Sequence, residues 1–185
     1  MKNLSNKKII LTGPPGSGKT SVLKLLSKEG LSVIVEPARQ IISEQRSIDG
    51  DGVYDRNPYL FKELMLSRMI YDYKLHDDSE FHVIFDRGIP DIIAYSDCFN
   101  IPRGAEMKAA DVFRYHETIF FLPAWREIYV NDEDRLISFE EAEIFGKKLS
   151  TIYDTLDYKV VTVPYMSEIE RCGFILEYLS NVITI

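Results

Sequence analysis

The chain has 185 residues, 45% hydrophobic and 28% charged, which is ordinary globular usage and excludes a disordered or fibrous protein. At roughly 100–200 residues per domain it makes one domain, with room for a short lid, and a chain of this size buries about 70% of its unfolded surface, so it needs neither disulfides nor a structural metal to fold. With 22 Lys and Arg against 29 Asp and Glu, the formal net charge is −7, and an acidic chain with no basic block is a poor partner for nucleic-acid polymers or anionic membranes.

The elements follow in chain order. Lys7–Leu11 is a short apolar run that reads as a buried strand, followed by a Gly/Pro-rich turn over Thr12–Thr20. Val22, Leu23, Leu25 and Leu26 then recur at helical spacing until Gly30 stops the pattern. Leu31–Val35 is a second strand, and Glu36 to Arg46 reads as a helix carrying Ala38, Ile41 and Ile42 on one face. Ser47–Asn57, with its D-G-D-G, is expected to be a mobile loop. Asn57 caps a helix with Pro58 at its first position, running to about His76.

His82–Asp86 is a third strand, and Pro90 opens a helix through about Phe99. A weaker helix covers Gly104–Tyr115, and Thr118–Leu122 is a fourth strand. Pro123–Ile137 is a charged loop holding the single tryptophan, Trp125. Ser138 with Glu141 forms a capping box for a helix to about Leu156, Lys159–Val163 is a fifth strand, and Ser167 with Glu170 repeats the box before the last helix. Apolar strands alternating with helices predict an α/β fold in three layers: a five-stranded parallel sheet with helices on both faces. Ligands in such sheets bind beyond the carboxyl ends of the strands, which places the chemistry after Leu11, Val35, Asp86 and Leu122.

Residues Gly13-Pro14-Pro15-Gly16-Ser17-Gly18-Lys19-Thr20 match G-x-x-x-x-G-K-[ST], and they follow a strand and open a helix as that motif must. Glycines let the backbone wrap an anion, and the N–H groups of this segment, with Ser21 next in the helix, point at phosphates. The motif makes ATP and Mg²⁺ the expected cofactors. Lys19, expected to face solvent when no nucleotide is bound, would bridge the β- and γ-phosphates, and the Thr20 hydroxyl would ligate Mg²⁺. Asp86, at the end of the apolar run V-I-F, is the partner acid for the metal, with a turn aspartate as its plainer role. The two cysteines, Cys98 and Cys172, and three scattered histidines form no zinc pattern. Both thiols are expected to be buried in a reducing cytosol. No apolar stretch approaches the length of a membrane span, and the polar start of the chain lacks the features of a secretory leader. The expected location is therefore cytoplasmic.

At G-P-P-G-S-G-K-T, E-P-A-R, F-D-R-G-I-P-D and F-F-L-P-A-W-R-E-I-Y-V-N-D-E-D-R the sequence resembles small P-loop NTPase proteins of the AAA-type predicted ATPase group. These are similar to the ribosylnicotinamide kinase domain and, more broadly, to nucleoside and nucleotide kinases. The resemblance implies a P-loop NTPase fold over the whole chain, with a short lid at about 123–137. It implies that Glu36 is the general base for an acceptor hydroxyl, with Arg39 one helical turn on and sharing its face; the alternative is a surface ion pair between them. It implies that Arg87 handles substrate or the transferring phosphate, the alternative being a structural pair. Arg126 and Arg135 would serve as lid arginines that neutralise charge on the phosphoryl group, or else belong to a solvated charge cluster with Asp132, Glu133 and Asp134. Asp91 is expected to stabilise the start of its helix.

Three functions fit these residues. The leading one is ATP- and Mg²⁺-dependent phosphoryl transfer to a small hydroxyl-bearing acceptor, nucleoside- or nucleotide-like, bound among Glu36, Arg39, Arg87 and the helix around Tyr59–Met69, whose Tyr59, Phe61, Leu64 and Met65 could stack a base, with more of that set expected in the core than in the pocket. The second is an NTPase switching a protein partner, and the third a nucleotide-binding module without turnover. A homodimer is compatible with any of them. The short, arginine-poor lid disfavours phosphate-rich acceptors, and the chain lacks the helical lid domain and trans arginine finger of a ring motor.

Overall fold

The computed structural model describes residues 7–129 and 137–182. Among them, five strands form one parallel sheet: β1 (Lys8–Thr12), β2 (Ser32–Ile34), β3 (Val83–Asp86), β4 (Thr118–Phe121) and β5 (Lys159–Thr162), in the order β2-β3-β1-β4-β5. Seven α-helices connect and cover them: α1 (Lys19–Lys28), α2 (Ala38–Ser47), α3 (Pro58–Leu75), α4 (Ile89–Cys98), α5 (Ala105–Val112), α6 (Phe139–Thr155) and α7 (Glu168–Val182). The expected three-layer arrangement is thus present.

The layers follow from the period of two along each strand. Ile10, Val83, Phe85, Ile119 and Phe121 point to one face and pack with α3, α4 and α6. Ile9, Leu11, Ile84, Phe120 and Leu122 point to the other and pack with α1 and α7. Register lines these residues up, with Ile9 opposite Ile84 and Leu11 opposite Phe120. The central strands carry apolar runs, Ile9–Leu11, Val83–Phe85 and Ile119–Phe121, because helices cover both faces, whereas β2 and β5, at the sheet edges, are more exposed.

Local chemistry sets the helix ends. Asn57 Oδ1 accepts from the Leu60 N–H at 3.0 Å, and Ser138 and Glu141 exchange the two bonds of the expected capping box. One helix differs from expectation. Helix α2 begins at Ala38 rather than Glu36, because a residue before proline is driven away from helical backbone and Glu36 precedes Pro37. Glu36 therefore lies in the loop after β2, and the helical face it was expected to share with Arg39 does not form. The D-G-D-G loop, expected to be mobile, is tied down. Val53 is buried, and Gln45 accepts from Gly50 N–H through its carbonyl and from Gly52 N–H through its side chain. No helix among the described residues is long and apolar enough to cross a membrane.

Candidate active site

The chain leaving β1 runs toward β2, while that leaving β4 runs toward β5, so a crevice opens at the carboxyl end of β1. The P-loop fills it. Gly13 has φ +150° and approaches the end of β4 so closely that a Cβ would stand 2.1 Å from the Leu122 carbonyl oxygen. Gly18, at φ 84°, is the left-handed residue that turns the loop into α1. A cavity of about 450 Å³ lies against this backbone, lined by Pro15 through Ser21 and by Glu36, Arg39, Asp86 and Arg87. The structure thus brings together most of the residues expected at the site.

Lys19 departs from expectation. It is buried, not solvent-facing, and its Nζ donates to the Gly13 carbonyl at 2.7 Å and the Pro14 carbonyl at 2.8 Å. Its flexible stem folds back along the loop, where the carbonyls take the place of water. Burial, with the Arg87 charge nearby, lowers its pKa to about 7 against the pull of Asp86, Glu36 and Asp91. Asp86 has the opposite problem. Its Oδ1 is buried with no hydrogen-bond partner among the described residues, and burial raises its pKa although Lys19 pulls the other way. Thr20, the other expected metal ligand, is exposed at the start of α1 beside the same cavity.

Arg87 is the central cation. Its backbone sits at φ 70°, a strained region for a side-chain-bearing residue, and its own N–H is held by the Leu11 carbonyl at 3.0 Å. The guanidinium reaches Glu36 through Nε at 2.9 Å, and through Nη1 it reaches Asp91 at 3.1 Å and the Gly13 carbonyl at 3.0 Å. Burial opposes its charge, but Glu36, Asp91 and Asp86 hold its pKa above the usual guanidinium value. Asp91 does more than start α4. It accepts from Thr12 Oγ1 at 2.6 Å, from the Gly88 N–H at 3.0 Å and from the Tyr153 hydroxyl of α6. A buried charge is retained only when paired and fully hydrogen-bonded, and this one is.

A second cavity, about 220 Å³ and almost wholly apolar, joins the first at Pro15, Glu36, Ala38 and Arg87. Phe61 and Met65 of α3 line it, as expected, but Tyr59 is exposed with its ring over Lys62, and Leu64 lies outside the lining. Met69, the last residue of the expected wall, lines it as well, and sequence reading missed Tyr54, Tyr95 and Phe99, which line it from other elements. Tyr95 and Phe99 stack at 4.5 Å, and Phe61 meets Tyr95 at 5.8 Å.

The arginine-bearing segment is placed in part. Arg126, in a 3-10 turn, is exposed and pairs with Glu140 at 2.6 Å while lying over Phe139, away from the phosphate cavity. Arg135 lies outside the described residues, as do Asp132, Glu133 and Asp134. Sequence reading passed over Arg171 of α7, which is buried with its guanidinium 4.5 Å from the Trp125 ring and donates to the Ser17 carbonyl. Of the cysteines, Cys172 is buried but Cys98 is exposed at the end of α4, contrary to expectation.

A family model described as an AAA domain matches residues 8–171. Among solved structures, deoxyadenosine kinase from M. mycoides with bound dATP is 17% identical, with a TM-score of 0.68 over 94% of this chain and 100% of that one. The NadR protein in complex with NR is 18% identical, with a TM-score of 0.68 over 95% of this chain and 52% of that one. Shikimate kinase from Aquifex aeolicus is 16% identical, with a TM-score of 0.57 over 96% of this chain and 98% of that one. No curated protein matches. At such identities the likeness is one of fold.

Proposed function

The chain belongs to the AAA domain family, and from that premise we propose that it transfers the γ-phosphoryl group of ATP to a hydroxyl of a small, flat, nucleoside-like acceptor. The observation that carries this reading is the meeting of the two cavities at Glu36 and Arg87. A hydrolase has no need of an aromatic slot opening onto its phosphate site, whereas a transferase needs an acceptor held there in near-attack geometry.

The P-loop amides and Lys19 hold the β- and γ-phosphates. The acceptor ring enters between Phe61, Met65 and Tyr95, and its hydroxyl faces Glu36. The hydroxyl oxygen bonds to the γ-phosphorus as the bond to the β-bridging oxygen breaks, and its proton passes to the Glu36 carboxylate, leaving ADP. Arg87 holds Glu36 in place and supplies positive charge beside the phosphate cavity. Among the described residues no group of three acidic, His or Cys side chains forms a metal cage. The orphaned buried Asp86 Oδ1 and the nearby Thr20 hydroxyl nevertheless fit Mg²⁺, which takes most of its ligands from phosphate and water. Bound there, Mg²⁺ would neutralise phosphate charge.

The test is ADP release measured across a panel of nucleosides and other small alcohols. The reading requires at least one acceptor to stimulate release and to emerge phosphorylated. Hydrolysis that no acceptor stimulates would instead support an NTPase.

A further inference from the structure

Among the described residues, Arg171, in the first turn of α7, is a buried cation without a counter-ion. Its side chain is 1% exposed. One nitrogen, Nη1, donates to the Ser17 carbonyl at 2.9 Å, and the guanidinium lies over the Trp125 ring, but among the described residues Nε and Nη2 are buried with no hydrogen-bond partner and the side chain enters no ion pair. Burial lowers its pKa, with Glu168 and Tyr165 opposing. A guanidinium removed from water is costly unless something anionic meets it, and two unused N–H donors in a planar fork match a phosphoryl group.

Its surroundings say which phosphoryl group. Arg171 lines a cavity of about 490 Å³ with Trp125, Ile128 and Met166, and this cavity shares Gly16, Gly18 and Ser21 with the phosphate cavity. A Cβ on Gly18 would stand 3.1 Å from Arg171 Nη1, so glycine leaves room for the guanidinium against the loop. Lys19, Asp86 and Arg87 line the phosphate cavity, whereas Arg171 does not. Because the two cavities meet along Gly16, Gly18 and Ser21, a nucleotide whose terminal phosphates fill the phosphate cavity can reach Arg171 with its next phosphate and its nucleoside.

We propose that Arg171 binds the α-phosphate of the donor nucleotide, with the Trp125 indole beside the nucleoside. This rests on the donor site proposed above. Arg171 contributes affinity for any nucleoside di- or triphosphate and does not distinguish ATP from ADP.

The experiment is calorimetric titration of wild-type, Arg171→Met and Arg171→Lys proteins with ATP, ADP and pyrophosphate in Mg²⁺. Replacing a buried charge by an apolar side chain of similar length is commonly tolerated by the fold, and the Lys variant keeps the charge without the fork. Arg171→Met should weaken ATP and ADP alike by roughly 10- to 100-fold, the worth of a charged hydrogen-bonded contact, with Arg171→Lys between. Pyrophosphate, which needs only the phosphate cavity, should bind all three proteins equally. In the wild type, ATP and ADP should change the emission of Trp125, the only tryptophan, and pyrophosphate should not. Unchanged ATP affinity in folded Arg171→Met, or an equal loss for pyrophosphate, would overturn the proposal, the latter by showing that Arg171 merely braces Ser17. A wild-type protein that binds neither ATP nor pyrophosphate would overturn the donor-site reading itself.

Discussion

Arg87 Nε lies 2.9 Å from Glu36 Oε1, so the proposed base and the cation beside it act as one unit. The pair fixes where the carboxylate points. Charge-assisted hydrogen bonds of this kind are directional as well as strong, and the loop after β2 has no helix to hold Glu36 in their place.

Removing the carboxylate's charge should therefore harm transfer more than binding. Glu36→Gln is expected to lower transfer by roughly 10²- to 10⁴-fold, the usual worth of a general base, with ATP affinity preserved. Steady-state kinetics alongside ATP titration checks this. An equal loss of ATP affinity would move Glu36 into the donor site.

Lys19 gives a proton-linked prediction. Its pKa is lowered from 10.5 to about 7 in the ligand-free protein, so near pH 8.5 most of it is neutral, while the unfolded chain keeps it charged. The unfolded state then binds more protons, and this group's contribution to stability rises with pH from about 7 to about 10.5. A triphosphate beside Lys19 restores its charge, so ATP binding at pH 8.5 should take up close to one proton. Calorimetry in buffers of different ionisation enthalpy measures the uptake, which should vanish in Lys19→Met.

Asp86 should show a trade between stability and function. Its unpartnered buried oxygen and the burial that raises its pKa make the carboxylate costly without a metal. Asp86→Asn is expected to leave the melting temperature of the ligand-free protein unchanged or higher, while weakening the Mg²⁺ dependence of ATP binding. A lower melting temperature together with intact Mg²⁺ dependence would make Asp86 a structural residue.

Tyr153 and Asp91 connect α6 to Arg87. Tyr153→Phe keeps the ring and removes one buried hydrogen bond to a charged group, so unfolding free energy should fall by about 1.5–3 kcal/mol. Denaturant titration reads this. A change under about 0.5 kcal/mol would mean that Thr12, Gly88 and Arg87 satisfy Asp91 without the tyrosine.

The parts of the site legible in sequence are local ones. The P-loop is eight consecutive residues, and Asp86 ends an apolar strand, so motif and period expose both. The sheet is readable for the same reason, since strands covered on both faces carry continuous apolar runs. Partnerships across the fold are not. Arg171 meets Ser17 across 154 positions, Tyr153 meets Asp91 across 62, and Tyr95 and Phe99 become walls of a slot only once α4 packs against α3. Lys19 misled because its type favours solvent, while its flexible stem lets two carbonyls of its own loop capture the amine.

Phosphoryl transfer around Glu36, between joined cavities that hold donor and acceptor, is the proposal on which the rest depends. It is tested most directly by following label from [γ-³²P]ATP in the presence of a nucleoside panel, with wild type and Glu36→Gln side by side. A labelled phosphorylated acceptor should form at a rate that depends on acceptor concentration and collapses in Glu36→Gln. Label appearing only as inorganic phosphate, at a rate indifferent both to acceptor and to Glu36→Gln, would contradict it.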